Sequence, residues 1–278
     1  MYKIPLVSIL ICTYNAEKTI KNTLDSCLNQ TYSSFEILIH DDQSKDKTLE
    51  VIESLGDQRI KVLESWKKLW PYGGLNFLLD HAKGEYIAIQ DHDDIWHPQK
   101  LEKQIKFLEE NTKYLWCWTS CLEYYDKEYV GYLYNKQEKN VSFGVSHTSL
   151  VFKNWKYRYD TSNDYLCDGY FLKHILTQNQ KILHIIPEVL TLHYNRSDWN
   201  NYSNLWFKCT VENFKRYFGI YWFTFTSIIY WLFLVCFSKY KKSYQIQKEI
   251  FFRMNGKLTQ DDFKKDENLR ELTKYFLE

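Results

Sequence analysis

Val7 to Cys12 is a near-continuous apolar run, and runs of the same kind recur at Phe35 to His40 and at Tyr86 to Gln90. Short apolar runs rich in β-branched residues belong to parallel strands covered on both faces. Each run stops abruptly at polar residues: Thr13-Tyr14-Asn15, then Asp41-Asp42-Gln43-Ser44, then Asp91-His92-Asp93-Asp94. Helical spacing fills the intervals. Apolar residues at 20, 24, 27 and 28 predict a helix within Glu17 to Gln30, and Leu49, Ile52 and Leu55 predict a second, capped by Asp46 or Thr48. Arg59 to Leu63 reads as a strand, and Gly73-Gly74 as a break before a helix from Leu75 to Ala82. Strand and helix alternate four times in the first hundred residues. That pattern predicts an α/β fold with a doubly wound, mostly parallel sheet and helices on both faces. Ligands bind at the carboxyl ends of the strands in such sheets, so three polar strand ends at one edge predict a site.

The third strand end carries the chemistry. Asp91 and Asp93 are two residues apart, so in an extended segment they project to the same side. Like charges held that close cost free energy unless a cation or water separates them. Carboxylate oxygens suit a hard divalent metal, Mg²⁺ or Mn²⁺, which keeps positions open for phosphate oxygens. The rival reading is a solvated acidic turn ahead of the helix that starts near His97-Pro98.

Composition narrows the function by exclusion. A chain of 278 residues fits one large domain or one domain with a substantial appendage. A net charge of +1 predicts no nucleic-acid partner. The seven cysteines are odd in number and lack the CxxC spacing of zinc sites, which fits a reducing cytosol. Met1 to Pro5 lacks the charged-then-apolar pattern of a secretion signal.

Taken in order, Val7-Ser8-Ile9…Thr13-Tyr14-Asn15, Phe35-Glu36-Ile37…Asp41-Asp42-Gln43-Ser44 and Ala82-Lys83-Gly84-Glu85-Tyr86-Ile87…Asp91-His92-Asp93-Asp94 resemble the inverting family 2 glycosyltransferases, over about residues 5 to 200. The departures are Gln43, where Gly or Asn is usual, and His92, where Ser or Ala is commoner. The resemblance implies a GT-A fold, a nucleotide-sugar donor and an Mn²⁺ or Mg²⁺ cofactor. It implies that Asp42 reads the base, against the rival of an Asx turn or helix cap. Thr13, Tyr14 and Asn15 would line the same pocket, against ordinary loop packing. Asn76 would face the donor, against helix-surface solvation, and Asp91 would contact ribose. Asp93 matches the metal ligand, with Asp91, Asp198 and His193 as possible support. Asp94 either adds to that set or caps the helix after Pro98.

Beyond residue 110, Tyr114 to Tyr125 reads as a strand, and Phe143 to Phe152 resembles the family's return strand beside the donor sugar. Lys181 to Leu192 reads as a strand pair interrupted by Pro187-Glu188. Where the family opens a helix with a pair of acidic residues, Cys167 replaces the first and Asp168 keeps the second. The resemblance makes Asp168 the general base for an acceptor hydroxyl, with Asp164 in reserve; the rival is a helix cap for Asp168. Arg196 is a candidate phosphate contact, and His184 and His193 read individually as packed polar residues.

These expectations divide the chain into a GT-A domain over 1–205, with a nucleotide-sugar half (1–110) and an acceptor half (111–205), and a helical, aromatic-rich extension over 206–278. Gly219 to Phe237 is uncharged over nineteen residues and is followed by Lys239, Lys241 and Lys242. Its Tyr, Trp, Thr and Ser content favours a helix lying in the headgroup layer over one that spans the bilayer or is buried in protein. The expectation is a metal-dependent inverting transferase at the cytoplasmic face of the membrane, acting on a glycan or lipid-linked acceptor. Its rivals are a sugar-1-phosphate nucleotidyltransferase, whose glycine-rich loop Thr13-Tyr14-Asn15-Ala16 lacks, and a catalytically silent scaffold that binds nucleotide sugars. The sequence leaves the oligomeric state open.

Overall fold

The computed structural model describes residues 4–125, 133–134, 146–155, 157–161 and 183–195, with 265, 267, 270–272 and 274 near the carboxyl terminus. The chain runs β1 (Val7–Thr13), α1 (Ile20–Leu28), β2 (Phe35–Asp41), α2 (Thr48–Ser54), β3 (Ile60–Val62), α3 (Trp70–His81), β4 (Tyr86–Asp91), β5 (Ile95–Trp96), α4 (Lys100–Glu110), β6 (Trp116–Tyr125), β7 (Leu133–Tyr134), a 3₁₀ turn (His147–Ser149), β8 (Val151–Lys153) and β9 (Leu183–Asn195). The described strands form one sheet in the order β3-β2-β1-β4-β8-β6-β9-β5, with β7 beside β6. The first four are parallel, whereas β8 is antiparallel to both β4 and β6, and β6 and β9 run parallel.

Two cores, one on each face, explain why the strand runs are apolar throughout. Val7, Ile9 and Ile11 of β1 pack with Ile20 and Leu24 of α1 and Leu101 and Ile105 of α4. Leu10 points the other way, joining Ile87 and Ile89 of β4 against Leu75, Leu78 and Leu79 of α3. Alternate residues of one strand thus serve opposite cores, as the period of two requires. At the start of α4, Lys100 is fully buried with its ammonium 3.9 Å from the centroid of the Trp96 ring.

Three sequence expectations are corrected. Gly73-Gly74 does not break the chain, because both lie inside α3. A Cβ at Gly74 would come 2.7 Å from Cys12 Sγ and 2.7 Å from His40 Cδ2, so the residue lets the helix lie close on β1 and β2. The strand expected over Phe143 to Phe152 is, within the described residues, a 3₁₀ turn followed by the short β8. The strand pair expected over Lys181 to Leu192 is the single strand β9. Its register against β6 jumps from Thr119↔Ile186 to Ser120↔Val189, leaving Pro187 and Glu188 in an irregularity. Proline has no N–H to give a ladder and is accommodated at such bulges.

Candidate active site

The parallel strands deliver their carboxyl ends to one edge. There the β1–α1 and β2–α2 loops are zipped together. The Asn15 N–H donates to Ser44 Oγ at 2.8 Å, the Lys45 N–H to Asn15 Oδ1 at 2.8 Å, the Ala16 N–H to Thr48 Oγ1 at 2.7 Å and the Glu17 N–H to Asp46 Oδ2 at 3.1 Å. Asp46 also accepts the Thr48 N–H at 3.0 Å, although the N-cap position of α2 is Lys47, not Asp46 or Thr48 as expected. Asp41 braces the β2–α2 loop, accepting the Ser44 N–H at 2.9 Å. Gln43 sits at φ +67°, which explains why Gly or Asn is the natural residue there.

Asp42 is buried, and its backbone N–H donates to the Thr13 carbonyl at 2.8 Å. Its carboxylate reaches across to the start of α3. Oδ1 accepts the Leu69 N–H at 2.7 Å, and Oδ2 accepts the Trp70 N–H at 3.2 Å. His40 Nε2 lies 3.7 Å from Oδ1 and Lys68 Nζ 3.9 Å from Oδ2, distances at which charge acts without a good hydrogen bond. Burial would raise the Asp42 pKa, but His40, the Leu69 N–H and Lys68 outweigh it and hold the carboxyl below its ordinary value. Thr13 is buried with Oγ1 lacking a partner among the described residues, whereas Tyr14 is 44% exposed with Lys68 over its ring. Asn76 is tied into the fold. Its amide donates to the Tyr159 carbonyl at 2.9 Å and accepts the Tyr159 N–H at 2.7 Å, so both ends serve to clasp a distant segment.

The end of β4 is braced from beneath. Gln90 Nε2 donates to the Asp94 carbonyl at 2.8 Å, and its Oε1 accepts from Thr148 Oγ1. The Asp94 N–H closes the turn on the Asp91 carbonyl at 3.3 Å. Asp94 does not cap α4. It is fully buried, with Oδ1 accepting the Tyr194 N–H of β9 at 2.9 Å and Oδ2 without a partner among the described residues. His92 Nε2 is likewise buried and without a partner among them. Burial drives the Asp94 pKa well up; His193 opposes this, and the charges of Asp93 and Asp91 add to it. Asp91 keeps some surface in water but is densely surrounded by protein. Its pKa is raised by burial first, opposed by His147, reinforced by Asp93, and opposed by His193 and His92.

His193 therefore lies in the field of the acidic strand end. His147 reaches the same field without having been singled out in the sequence. Its Nε2 is 2.8 Å from the Tyr159 hydroxyl, and Tyr72 packs 6.3 Å from its ring and 5.5 Å from that of Tyr159. A histidine among Ser and Thr in the return segment was the available signal. His184, by contrast, stacks on Phe107 at 3.9 Å as a packed residue. Asp164, Asp168, Arg196 and Asp198 lie outside the described residues.

No group of three or more His, Cys, Asp or Glu side chains among the described residues forms a ready-made cation cage. Mg²⁺-type ions need none: they are held by one or two carboxylates with water and substrate phosphates. The donor set of Asp91 and Asp93, beside a buried carboxylate oxygen with no partner among the described residues, fits such an ion. Among the described residues no helix is long and apolar enough to cross a membrane, and 219–237 lies outside them.

The sequence profile of Glycosyl transferase family 2 matches residues 8–167. Among curated proteins, the UDP-Glc:alpha-D-GlcNAc-diphosphoundecaprenol beta-1,3-glucosyltransferase WfgD of Escherichia coli is 42% identical over 106 residues, covering 38% of this chain and 42% of that protein. The putative glycosyltransferase EpsE of Bacillus subtilis (strain 168) is 38% identical over 113 residues, covering 40% of this chain and 41% of that protein. The chain thus spans about two fifths of the length of these relatives. Among solved structures, Staphylococcus aureus TarS residues 1–349 in complex with UDP has a TM-score of 0.60 at 16% identity, covering 77% of this chain and 72% of that one. The mannosyltransferase PcManGT of Pyrobaculum calidifontis, in complex with GDP-Man and Mn²⁺, has a TM-score of 0.56 at 19% identity, covering 78% and 64%. These likenesses establish the GT-A fold expected from the sequence.

Proposed function

Because the chain belongs to glycosyl transferase family 2, we propose that it transfers a sugar, with inversion, from a nucleoside diphosphate to a hydroxyl of a glycan or lipid-linked acceptor in cell-surface polysaccharide synthesis. The donor is a UDP-sugar. The observation that carries the reading is the cluster of three acidic residues at the end of the central strand β4, where the Asp94 carboxylate is fully buried and one of its oxygens lacks a partner among the described residues. Such an arrangement is costly in a resting protein and is expected where a cation and phosphates complete it. Support comes from WfgD, named for a UDP-glucose donor and a diphosphoundecaprenol-linked acceptor, and from TarS, solved with UDP.

Asp93 is the principal cation ligand, with Asp91 and His193 beside it and Asp198 a further candidate from outside the described residues. A divalent cation held there supplies Lewis-acid neutralisation of the diphosphate leaving group. Asp91 also faces the ribose, and Thr13 and Tyr14 border the base. Asp168 takes the acceptor proton, with Asp164 the alternative. The aromatic segment 219–237 rests on the cytoplasmic face of the membrane, its following lysines on anionic headgroups.

A thermal-shift screen of UDP-, GDP- and dTDP-sugars with Mn²⁺ or with EDTA tests the reading. UDP and one UDP-sugar should raise the melting temperature in Mn²⁺ by mass action and lose most of that effect in EDTA. The same sugar should be transferred to a lipid-linked acceptor, with turnover of Asp168→Asn lower by about 10² to 10⁴-fold. A protein stabilised by no nucleoside diphosphate under either condition ends the proposal.

A further inference from the structure

The first residue of α3 is one that stability alone does not account for. Trp70 has φ +61°, a left-handed conformation that an aromatic side chain rarely adopts. It is followed by Pro71, which further restricts the backbone before it. It is also 49% exposed, so the strain is not offset by full burial of the indole. The buried Asp42 carboxylate holds this turn by accepting the N–H groups of Leu69 and Trp70. Residues held in sparsely populated backbone regions cluster at ligand clamps, and a buried carboxylate committed to holding one strengthens the inference.

What the turn presents is a second aromatic face. Lys68 Nζ lies 3.8 Å from the centroid of the Tyr14 ring and 4.7 Å from that of Trp70, and 3.9 Å from Asp42 Oδ2. The faces of two half-exposed rings, one from the end of β1 and one from the start of α3, therefore border a single point above a carboxylate. An ammonium now occupies that point. A planar, electron-poor heterocycle with N–H donors would satisfy the same surroundings: stacking for the rings and a donor toward the carboxylate.

We propose that Tyr14 and Trp70 form an aromatic slot for the nucleobase of the donor, and that Lys68 fills the slot in the free protein and leaves it when the base enters. This rests on the nucleotide-sugar reading above and adds to it the second wall, the resident cation and a positioning task for Asp42. The energetics permit the exchange. A cation–π contact at an exposed site is worth no more than about fivefold in an equilibrium, whereas stacking one base on an aromatic side chain is worth about 5- to 100-fold. The displaced ammonium is then available to the diphosphate.

The test compares the full chain with Trp70→Gly, Tyr14→Ala and Lys68→Met by calorimetry, using UDP, uridine and pyrophosphate in Mn²⁺, with thermal melts alongside. Glycine is at ease at φ +61°, so Trp70→Gly should melt no lower than the parent while binding UDP about 5- to 100-fold more weakly. Its pyrophosphate affinity should be unchanged, since pyrophosphate has no base. Tyr14→Ala should behave alike toward both ligands. Lys68→Met should bind uridine up to about fivefold more tightly, because the slot is vacated. A parent chain that binds UDP, with Trp70→Gly binding it equally well, overturns the slot. Parallel loss of melting temperature, UDP and pyrophosphate binding in Trp70→Gly also overturns it, since that is the signature of a purely structural residue. A parent chain that binds neither UDP nor pyrophosphate instead removes the function on which the slot rests.

Discussion

The two ends of the parallel strands both bury carboxylates, and they treat them in opposite ways. At the amino end, Glu36 accepts from Ser8 Oγ at 2.8 Å, the Lys83 N–H at 3.0 Å and Lys61 Nζ at 2.8 Å. Ser8 Oγ in turn accepts the Gly84 N–H at 2.8 Å. Burial would raise the Glu36 pKa, but those donors outweigh it and hold it below its ordinary value. At the carboxyl end, Asp91 and Asp94 are pushed up by burial first and also by the charge of Asp93, and Thr13 Oγ1, His92 Nε2 and Asp94 Oδ2 lack partners among the described residues. One end is finished by the protein itself. The other keeps polar atoms without partners among the described residues, and that difference separates the two ends more sharply than burial or acidity does.

The largest effect on this contrast should come from Asp93→Asn. Turnover should fall by about 10³-fold, roughly 4 kcal/mol of transition-state stabilisation. The metal-free fold should melt no lower, because a like charge is removed. Steady-state transfer assays and melts in EDTA check both halves, and a variant that loses activity by unfolding would erase the distinction between the two ends. Next comes Gly84→Ala at the closed end. A Cβ there meets Ser8 N at 2.5 Å, Tyr86 O at 2.7 Å and Leu6 O at 2.8 Å, all backbone atoms in or next to the sheet. Overpacking against atoms that cannot rotate away should cost about 3 kcal/mol in urea unfolding.

Smaller, but most diagnostic, are the opposite pH dependences of Glu36→Gln and Asp94→Asn, measured in EDTA between pH 4 and 7. Glu36 is depressed in the fold, so its stabilisation is present above its ordinary 4.5 and is lost as pH falls through the folded value. Glu36→Gln should therefore cost about 1–2 kcal/mol near neutrality, and that cost should begin to shrink as pH falls below 4.5. Asp94 is raised, so from its ordinary 3.8 upward the unfolded chain ionises first and stability falls as pH rises toward the folded value. Asp94→Asn keeps an acceptor for the Tyr194 N–H and should flatten that fall, gaining about 1 kcal/mol near neutrality. Lys100, lowered by burial from its ordinary 10.5 to about 7, stays protonated in both states over most of this window and so leaves the slopes readable. Two variants with slopes of the same sign would show that the ends are not of different kinds.

The parallel half was legible because its information is local. An apolar run, a turn and a helical stripe lie next to one another in the chain, and the strand ends announce themselves where apolar residues give way to Thr13, Asp41 and Asp91. The boundaries failed where packing overrode propensity. Gly74 reads as a breaker yet serves close approach to Cys12 and His40, and Pro187 reads as a break yet sits at a bulge. The site was legible in its acidic residues and not in their partners. Nothing adjacent in sequence says that Asn76 clasps Tyr159, that His147 enters the field of Asp91, or that Asp42 carries the backbone of Trp70. The first two pairings depend on the mixed-direction part of the sheet, which joins β4 to β8 and β6 to β9 across long stretches of chain, and the third on the approach of α3 to the end of β2.

The hydrogen bond from the Tyr194 N–H to Asp94 spans 100 residues of sequence. At roughly 5–20 residues per second of synthesis, Asp94 leaves the ribosome about 5 to 20 seconds before its partner does. Over that interval β1, β2, β3 and β4 can assemble from local contacts, while the carboxylate destined for full burial waits at an edge still open to water. The nascent chain therefore passes through a stage in which its acidic strand end is accessible to ions and chaperones, and docking of β9 marks the moment when that access narrows.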